Sequence, residues 1–318
     1  MSIRFIIPAI LLILLALVPF AAPTLQVLLT LALAKGIAVM GITVLLRSGQ
    51  VSFGHALYFA IAAYGGAFTL MLMPGADLAV VLVLGILAAV LSGIVVGLFV
   101  ARYRFIFFAM LNLAFSMIFW SILEKFYHYT GGADGMRLPR PTVLWMDLER
   151  GNYELVMFYL ALALALGLGW FAMRWLDSPL GQLFRTIKTN ETRLQYLGMS
   201  PQRVMLNGYV LSAMLCGTGG ILMGLVQGVV TPEYAYWIRS GEMVFIAVLG
   251  GAGSVPGALV GAAIYEIVRT YASAFAGDVW QMVLGTFLLI IILFAPGGIA
   301  GIYNSLMDRI AGKKEEGE

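Results

Sequence analysis

Arg47-Ser-Gly-Gln-Val-Ser-Phe-Gly-His55 lies between two long apolar runs and interrupts what is otherwise nearly continuous hydrocarbon from Thr24 to Met73. Two glycines, Gly49 and Gly54, and the polar side chains of Gln50, Ser52 and His55 make the interruption. In lipid every backbone N–H and C=O must find a partner, so non-helical backbone survives only at the bilayer edge, inside protein or against a watery cavity. A plain turn between two spans meets that condition, and so does a break that lines a path. Solute sites in membrane proteins often fall at glycine- or proline-interrupted segments.

The flanking runs are typical of the whole chain. Of its 318 residues, 61% are hydrophobic and 11% charged, with a mean hydropathy of +0.96, whereas soluble domains carry roughly 25% charged residues. Runs of about 20 apolar residues, enough to cross a hydrocarbon core as helix, recur throughout. Strands of a membrane barrel alternate apolar and polar residues; these segments are apolar on all sides. The fold class is therefore all-α, a polytopic integral membrane protein.

Spans are predicted at 5–22, 24–46, 51–73, 78–100, 105–126, 154–175 and 205–228, with shorter segments at 236–250 and 257–272 and a last span at 279–298. That makes about ten crossings, or about eight plus a re-entrant hairpin if 236–250 and 257–272 do not both traverse. The first run follows Arg4 as a signal peptide would, but its length, Pro8 and Pro19 favour a retained helix. Lys and Arg concentrate in cytoplasmic loops. With the N-terminus inside, twelve fall on the cytoplasmic side and six outside, which predicts both termini in the cytoplasm.

Two connections are long. Residues 127–153, external in this topology, carry Thr130-Gly-Gly-Ala-Asp-Gly135 and Arg137-Leu-Pro-Arg-Pro141, turns followed by extended chain. An ordinary solvated loop and a docking surface using Gly131, Gly132 and Asp134 both fit. Residues 176–204, internal, hold two short helical pieces, Gln182–Lys188 and Glu191–Leu197, closed by Gly198 and Pro201. On the second, Leu194 and Leu197 share a face while Glu191, Arg193 and Gln195 keep the rest polar. Such a helix rests on a membrane surface or lies in a groove of another protein.

The second half contains another break, Leu249-Gly-Gly-Ala-Gly-Ser-Val-Pro-Gly257, on the same side as the first. No matching sequence joins the two halves, so the recurrence is read as a coincidence of glycine-rich turns. Lys35 sits mid-way along 24–46, where an ionisable group is expensive enough to be a functional candidate by default. It either snorkels or pairs with Glu242 or Glu266, and Glu266 and Arg269 are spaced for a local ion pair. The candidate solute path therefore runs along Lys35, Gly49, Gln50, Ser52, Phe53, Gly54 and His55 in the first half, and along Glu242, Gly250, Gly251 and Gly253 in the second. Cys216 is read as a packing residue. His55 and His128 make no metal-ligand cluster, no run of like charge suggests a nucleic-acid partner, and no constellation supports catalysis.

Taken together, Ser48-Gly-Gln-Val-Ser-Phe-Gly-His-Ala56, Thr130-Gly-Gly-Ala-Asp-Gly135, Ser178-Pro-Leu-Gly181, Asn190-Glu-Thr-Arg-Leu-Gln-Tyr-Leu-Gly198, Ser240-Gly-Glu242 with Val248-Leu-Gly-Gly-Ala-Gly-Ser254, and Phe294-Ala-Pro-Gly-Gly298 resemble the permease subunits of ATP-binding-cassette importers for branched-chain amino acids, the LivM type. The similarity covers most of the chain, in order. It implies a multi-pass subunit of a bacterial inner membrane, surrounded by lipid. Its implied partners are a homologous second permease, two ATPase subunits that use ATP and magnesium, and an external substrate-binding protein, with no cofactor on this chain. It further implies that Glu191–Gly198 docks into the ATPase, with Leu194, Tyr196 and Leu197 as anchors and Glu191 and Arg193 as orienting charges. No G-x-x-x-x-G-K-[ST] phosphate loop is present. Four positions depart from the family pattern: Leu194 and Tyr196, where small residues are usual; Ala258, where a proline is usual; and Lys35, where an apolar residue is expected. Related permeases carry urea, short amides or aromatic acids. From the residues alone, an ion-coupled secondary transporter built on Lys35, Glu242 and Glu266 is the alternative.

Overall fold

The computed structural model describes residues 15–20, 22–196, 198–275, 277–294 and 297–310. The helices that position the site are α1 Pro23–Arg47, α2 Ala56–Leu72, α3 Leu78–Val100, α4 Phe105–Lys125, α5 Arg150–Asp177, α6 Pro179–Thr189, α7 Glu191–Tyr196, α8 Pro201–Gln227, α9 Trp237–Gly250, α10 Val255–Phe275, α11 Trp280–Phe294 and α12 Gly298–Ile310. Five of these, α1, α3, α4, α5 and α8, are each long and apolar enough to cross a membrane. The pair α9 and α10 passes the same test jointly but bends by 114° at residues 251–254. The chain is an all-α polytopic membrane protein.

Most predicted boundaries fall within a few residues of these helices. One correction concerns the span expected at 51–73: α2 starts only at Ala56, because residues 50–55 form a turn closed by Ser52, which bonds Gly54 and His55, and held to α4 by Gln50. The segment predicted at 5–22 lies largely outside the described residues, as do Leu197 and the tail from 311.

Apolar surface decides which helices are central. In α1 and α8, 78% and 83% of the most apolar stretch is buried, against 28% and 22% in α3 and α4, whose exposed Val, Leu, Ile and Phe side chains suit a lipid boundary. Helices in lipid gain little from hydrophobic burial, so close approach through small residues holds them together. Gly41 of α1 lies against the backbone of Ser212 and the thiol of Cys216, and Gly220 of α8 against the backbone of Phe59. Cys216 is buried, and its Sγ donates to the Ala38 carbonyl at 3.1 Å. It packs, as expected.

The two ends of the bundle differ. At one end, residues 48–55, 101–104, 178–196 and 251–254 come together. At the other, a two-stranded sheet pairs β1 (Met136–Arg137) antiparallel with β2 (Val229–Val230), matching Met136 to Val230 and Arg137 to Val229. There the N–H of Leu78 also donates to the Thr142 carbonyl at 2.8 Å. Both glycine-rich breaks thus lie at the same end, as the sequence predicts, and residues 127–153 lie at the opposite one.

Candidate functional site

The first break is a joint between helices. Beyond Arg47 the chain turns at Gly49 with φ +75°, a conformation open to glycine at little steric cost, and the Lys188 side chain of α6 lies 2.8 Å from where a Cβ would stand. Gln50 Oε1 accepts from the N–H of Phe105 at 2.7 Å, at the start of α4. Ser52 Oγ is 2.6 Å from His55 Nδ1 and accepts from the N–H of Gly54 at 3.3 Å. Ser240 Oγ of α9 accepts from the N–H of Ala56 at 2.8 Å, capping α2 from another helix. Behind these, the hydroxyls of Tyr58 and Tyr209 lie 2.7 Å apart and Tyr209 donates to Asn112. The His55 ring stands edge-on to both tyrosines, 5.2 Å from each.

Burial changes the reading of these residues. Ser48, Gln50, Ser52, Gly54 and His55 are buried within this chain, and Gly49 and Phe53 are half-buried. Within this chain Gln50 satisfies the head of α4, while Ser52 bonds Gly54 and His55 of its own turn, so these polar groups face protein.

The second break meets the first. Gly251 and Gly253 have φ +114° and +90°, and Arg47 Nε donates to the Gly253 carbonyl at 2.5 Å. Gly250, closing α9, lies against the backbone of Gly257, and Gly298 at the start of α12 lies against Gly251.

The chain from Ser178 to Tyr196 sits on the first joint and on the head of α4. Ser178 caps α6, its Oγ accepting from Gly181 N–H at 3.3 Å, and Phe184 is buried against Gly208 of α8. Asn190 Oδ1 accepts from the N–H groups of Thr192 and Arg193 at 3.0 and 3.3 Å, starting α7. Glu191 pairs with Arg104, next to the Phe105 that Gln50 holds. Leu194 is 0% exposed and Tyr196 87% exposed. An anchor role for Leu194 on a partner is therefore corrected, because its side chain fills this chain's own core. Arg193 is exposed, and Gly198, with φ +72°, stands in open space.

Lys35 is the centre of a separate charge cluster. Its Nζ donates to Glu242 Oε1 at 2.8 Å and Glu266 Oε2 at 2.7 Å, and lies 4.7 Å from the Tyr265 ring centroid. Arg239 reaches Glu242 at 3.2 Å and Arg269 reaches Glu266 at 3.3 Å. The sequence suggested the two carboxylates as partners of Lys35 and the Glu266–Arg269 pair. Arg239 was missed, although its spacing from Glu242 carries the same signal. Arg239, Glu242, Tyr265 and Arg269 border an open cavity of about 560 Å³ between α9, α10 and α11. Among the described residues, no group of three or more His, Cys, Asp or Glu forms a metal site.

At the opposite end, Gly131 and Gly132 turn with φ +72° and +50°. Thr130 Oγ1 donates to the Leu123 carbonyl at 2.6 Å, and exposed Asp134 accepts from Tyr127 Oη at 3.1 Å.

Residues 24–293 match the family model described as branched-chain amino acid transport system, permease component. The chain belongs to this family. Among its curated relatives, the high-affinity branched-chain amino acid transport system permease protein LivM of Salmonella typhimurium is 27% identical over 273 residues, covering 79% of this chain and 64% of its own. LivM of Escherichia coli gives the same values. LivH of Escherichia coli is 32% identical over 125 residues, covering 39% of this chain and 40% of its own. The permease described here thus spans 64% of the length of the two LivM proteins. No solved structure matches it.

Proposed function

We propose that this permease is one transmembrane subunit of an ATP-binding-cassette importer for a branched-chain amino acid or a related small polar solute such as urea, an amide or an aromatic acid. It works without cofactor or catalysis of its own, in a bacterial inner membrane and in contact with lipid. It pairs with a second, homologous permease, with two ATPase subunits that bind ATP and magnesium, and with an external substrate-binding protein. The end carrying both breaks and residues 176–204 is cytoplasmic, as are both termini and the tail at 307–318. Residues 127–153 are external, with Gly131, Gly132 and Asp134 near the surface that receives the binding protein.

The observation that carries this reading is the seating of α6 and α7 on the first glycine break and on the head of α4, with the second break tied to the first through Arg47. Lys188 covers Gly49, Arg47 ties that turn to Gly253, and Glu191 holds Arg104 at the head of α4. A push on the exposed Tyr196 face of α7 reaches α4 through Glu191 and Arg104 and the end of α1 through Lys188, and from there the α9–α10 bend through Arg47. A motor shifts such an equilibrium only by binding its two states differently, and these contacts are what would distinguish them. Tyr196 and Arg193 are then the partner-facing groups and Gly198 the turn that presents them.

The test is to reconstitute the complete complex with Tyr196→Asp or Gly198→Pro in this chain. ATP hydrolysis persists while uptake of labelled L-leucine falls at least ten-fold. Normal coupling in both variants defeats the docking assignment. Uptake by this chain alone, collapsed when an ion gradient is dissipated and indifferent to ATP, establishes instead the secondary transporter built on Lys35, Glu242 and Glu266.

A further inference from the structure

We infer that the open cavity beside the Lys35 cluster is a solute-binding site that requires a carboxylate, with Arg269 and Arg239 as its ligands. This rests on the transport reading above and adds to it where the solute binds and which chemical group it must carry.

The cavity, about 560 Å³, falls within the usual range of roughly 300–1,000 Å³ for small-molecule sites. Its polar wall is built, not incidental. Lys35, with a side chain 3% exposed, donates to both Glu242 and Glu266 and so holds the two carboxylates at fixed positions. Each carboxylate then accepts from one arginine through its second oxygen, Glu242 from Arg239 Nη1 and Glu266 from Arg269 Nη1. A guanidinium carries five N–H donors. Among the described residues, each arginine engages only this one acceptor, and both border the cavity with side chains 22% and 32% exposed.

Charge points the same way. Lys35, Arg239 and Arg269 face Glu242 and Glu266, three cations against two anions, so the cluster carries one positive charge in excess. A ligand carboxylate entering the open cavity meets the two guanidiniums in the planar, paired geometry that arginine prefers. Lys35 is not that ligand-binding group, because it is enclosed between its two glutamates. The one other charged group on the cavity wall, Glu233, is exposed at the rim and outside these ion pairs, where it can accept from an ammonium group. Ile238 and Leu284 supply apolar wall. The chemistry is that of a small amino acid with an apolar side chain. Urea and neutral amides lack the anion that the arginines require.

The experiment uses the assembled complex in lipid nanodiscs, without nucleotide and without binding protein, in equilibrium dialysis against radiolabelled L-leucine. Unlabelled leucine should displace the label, and leucinamide and urea should not. Arg269→Gln should weaken binding about ten-fold or more, and Arg269→Lys should restore part of the loss. The inference is overturned if the wild-type complex binds no leucine, if leucinamide competes as well as leucine, or if Arg269→Gln binds like wild type. Should Arg269→Gln fail to assemble on gel filtration, Arg239→Gln and the leucinamide competition on wild type decide by the same criteria. ATP-driven uptake separates the two readings. Import of leucine by Arg269→Gln with wild-type apparent affinity defeats the site and spares the transporter. Binding at this cavity without any ATP-driven import defeats the transporter assignment.

Discussion

Arg47 Nε donates to the carbonyl of Gly253 at 2.5 Å, joining two glycine-rich breaks that stand 206 residues apart in the chain. The ends of α1 and α9 therefore cannot move independently while this bond holds. A Cβ on Gly253 would come within 2.8 Å of Arg47 Nε, and the φ of +90° at Gly253 suits no L side chain. Gly253→Ala should destabilise the purified complex by about 1–3 kcal/mol, read as a lower thermal unfolding midpoint, and should depress uptake more than ATP hydrolysis. An unchanged midpoint together with unchanged uptake would mean that the two breaks are not mechanically joined.

Lys35→Met leaves Glu242 and Glu266 with one arginine each in a buried setting. Removing one partner of a buried ion pair costs about 3–5 kcal/mol, so this variant should accumulate poorly and melt early. Adding Glu242→Gln and Glu266→Gln to Lys35→Met should recover much of the loss, since the orphaned charges go too. If the single variant melts like wild type, the carboxylates are not held by Lys35.

Arg104 and Glu191 link the head of α4 to α7, with side chains 14% and 33% exposed. Charge reversal of either alone should uncouple ATP hydrolysis from uptake, and the double swap Arg104→Glu with Glu191→Arg should restore at least part of the coupling. The stability change should stay near 1 kcal/mol, the scale of partly exposed pairs. A double swap no better than the singles would show that the contact is incidental.

Asp77 closes the opposite end. Its Oδ1 accepts from the N–H of Ala79 at 2.9 Å, capping α3, and its Oδ2 from that of Trp145 at 3.1 Å. These backbone bonds, the one from Ala79 foremost, hold the carboxyl below the usual carboxylate range. A lowered folded-state pKa means that the stabilisation is complete above the unfolded value of about 3.9 and is lost as pH falls through the folded value. Limited proteolysis of residues 127–153 should therefore accelerate only under acid conditions. Asp77→Ala should raise it at neutral pH, with a loss of about 1 kcal/mol. Cleavage by the variant that still accelerates with acid as wild type does would assign the pH effect to another group.

Much of this architecture was legible in the chain. The spans were visible because hydrocarbon thickness fixes helix length, and the first break because Gly49, Gly54 and three polar side chains have no business in lipid unless something receives them. Their receivers were not legible. Ser240 capping Ala56, Gln50 holding Phe105 and Lys188 covering Gly49 are set by how helices far apart in sequence register against one another. Leu194 was misread for a related reason: an amphipathic pattern shows that a face is buried but not whether its own chain or another covers it. The Lys35 cluster was half legible, since three-residue spacing marks Arg269 beside Glu266, while the meeting of α1 with α9 and α10 is a tertiary fact.

The shortness of α2 has a consequence for the membrane itself. Its 17 residues rise about 26 Å, less than a hydrocarbon core of about 30 Å, so a span built on α2 takes non-helical chain at one of its ends into the hydrocarbon. A loop at that depth persists only while walled off from acyl chains. Small substitutions around Asn112, Tyr209 or Ser240 would therefore act as leaks, admitting water or lipid to bare peptide groups long before they disturbed any solute.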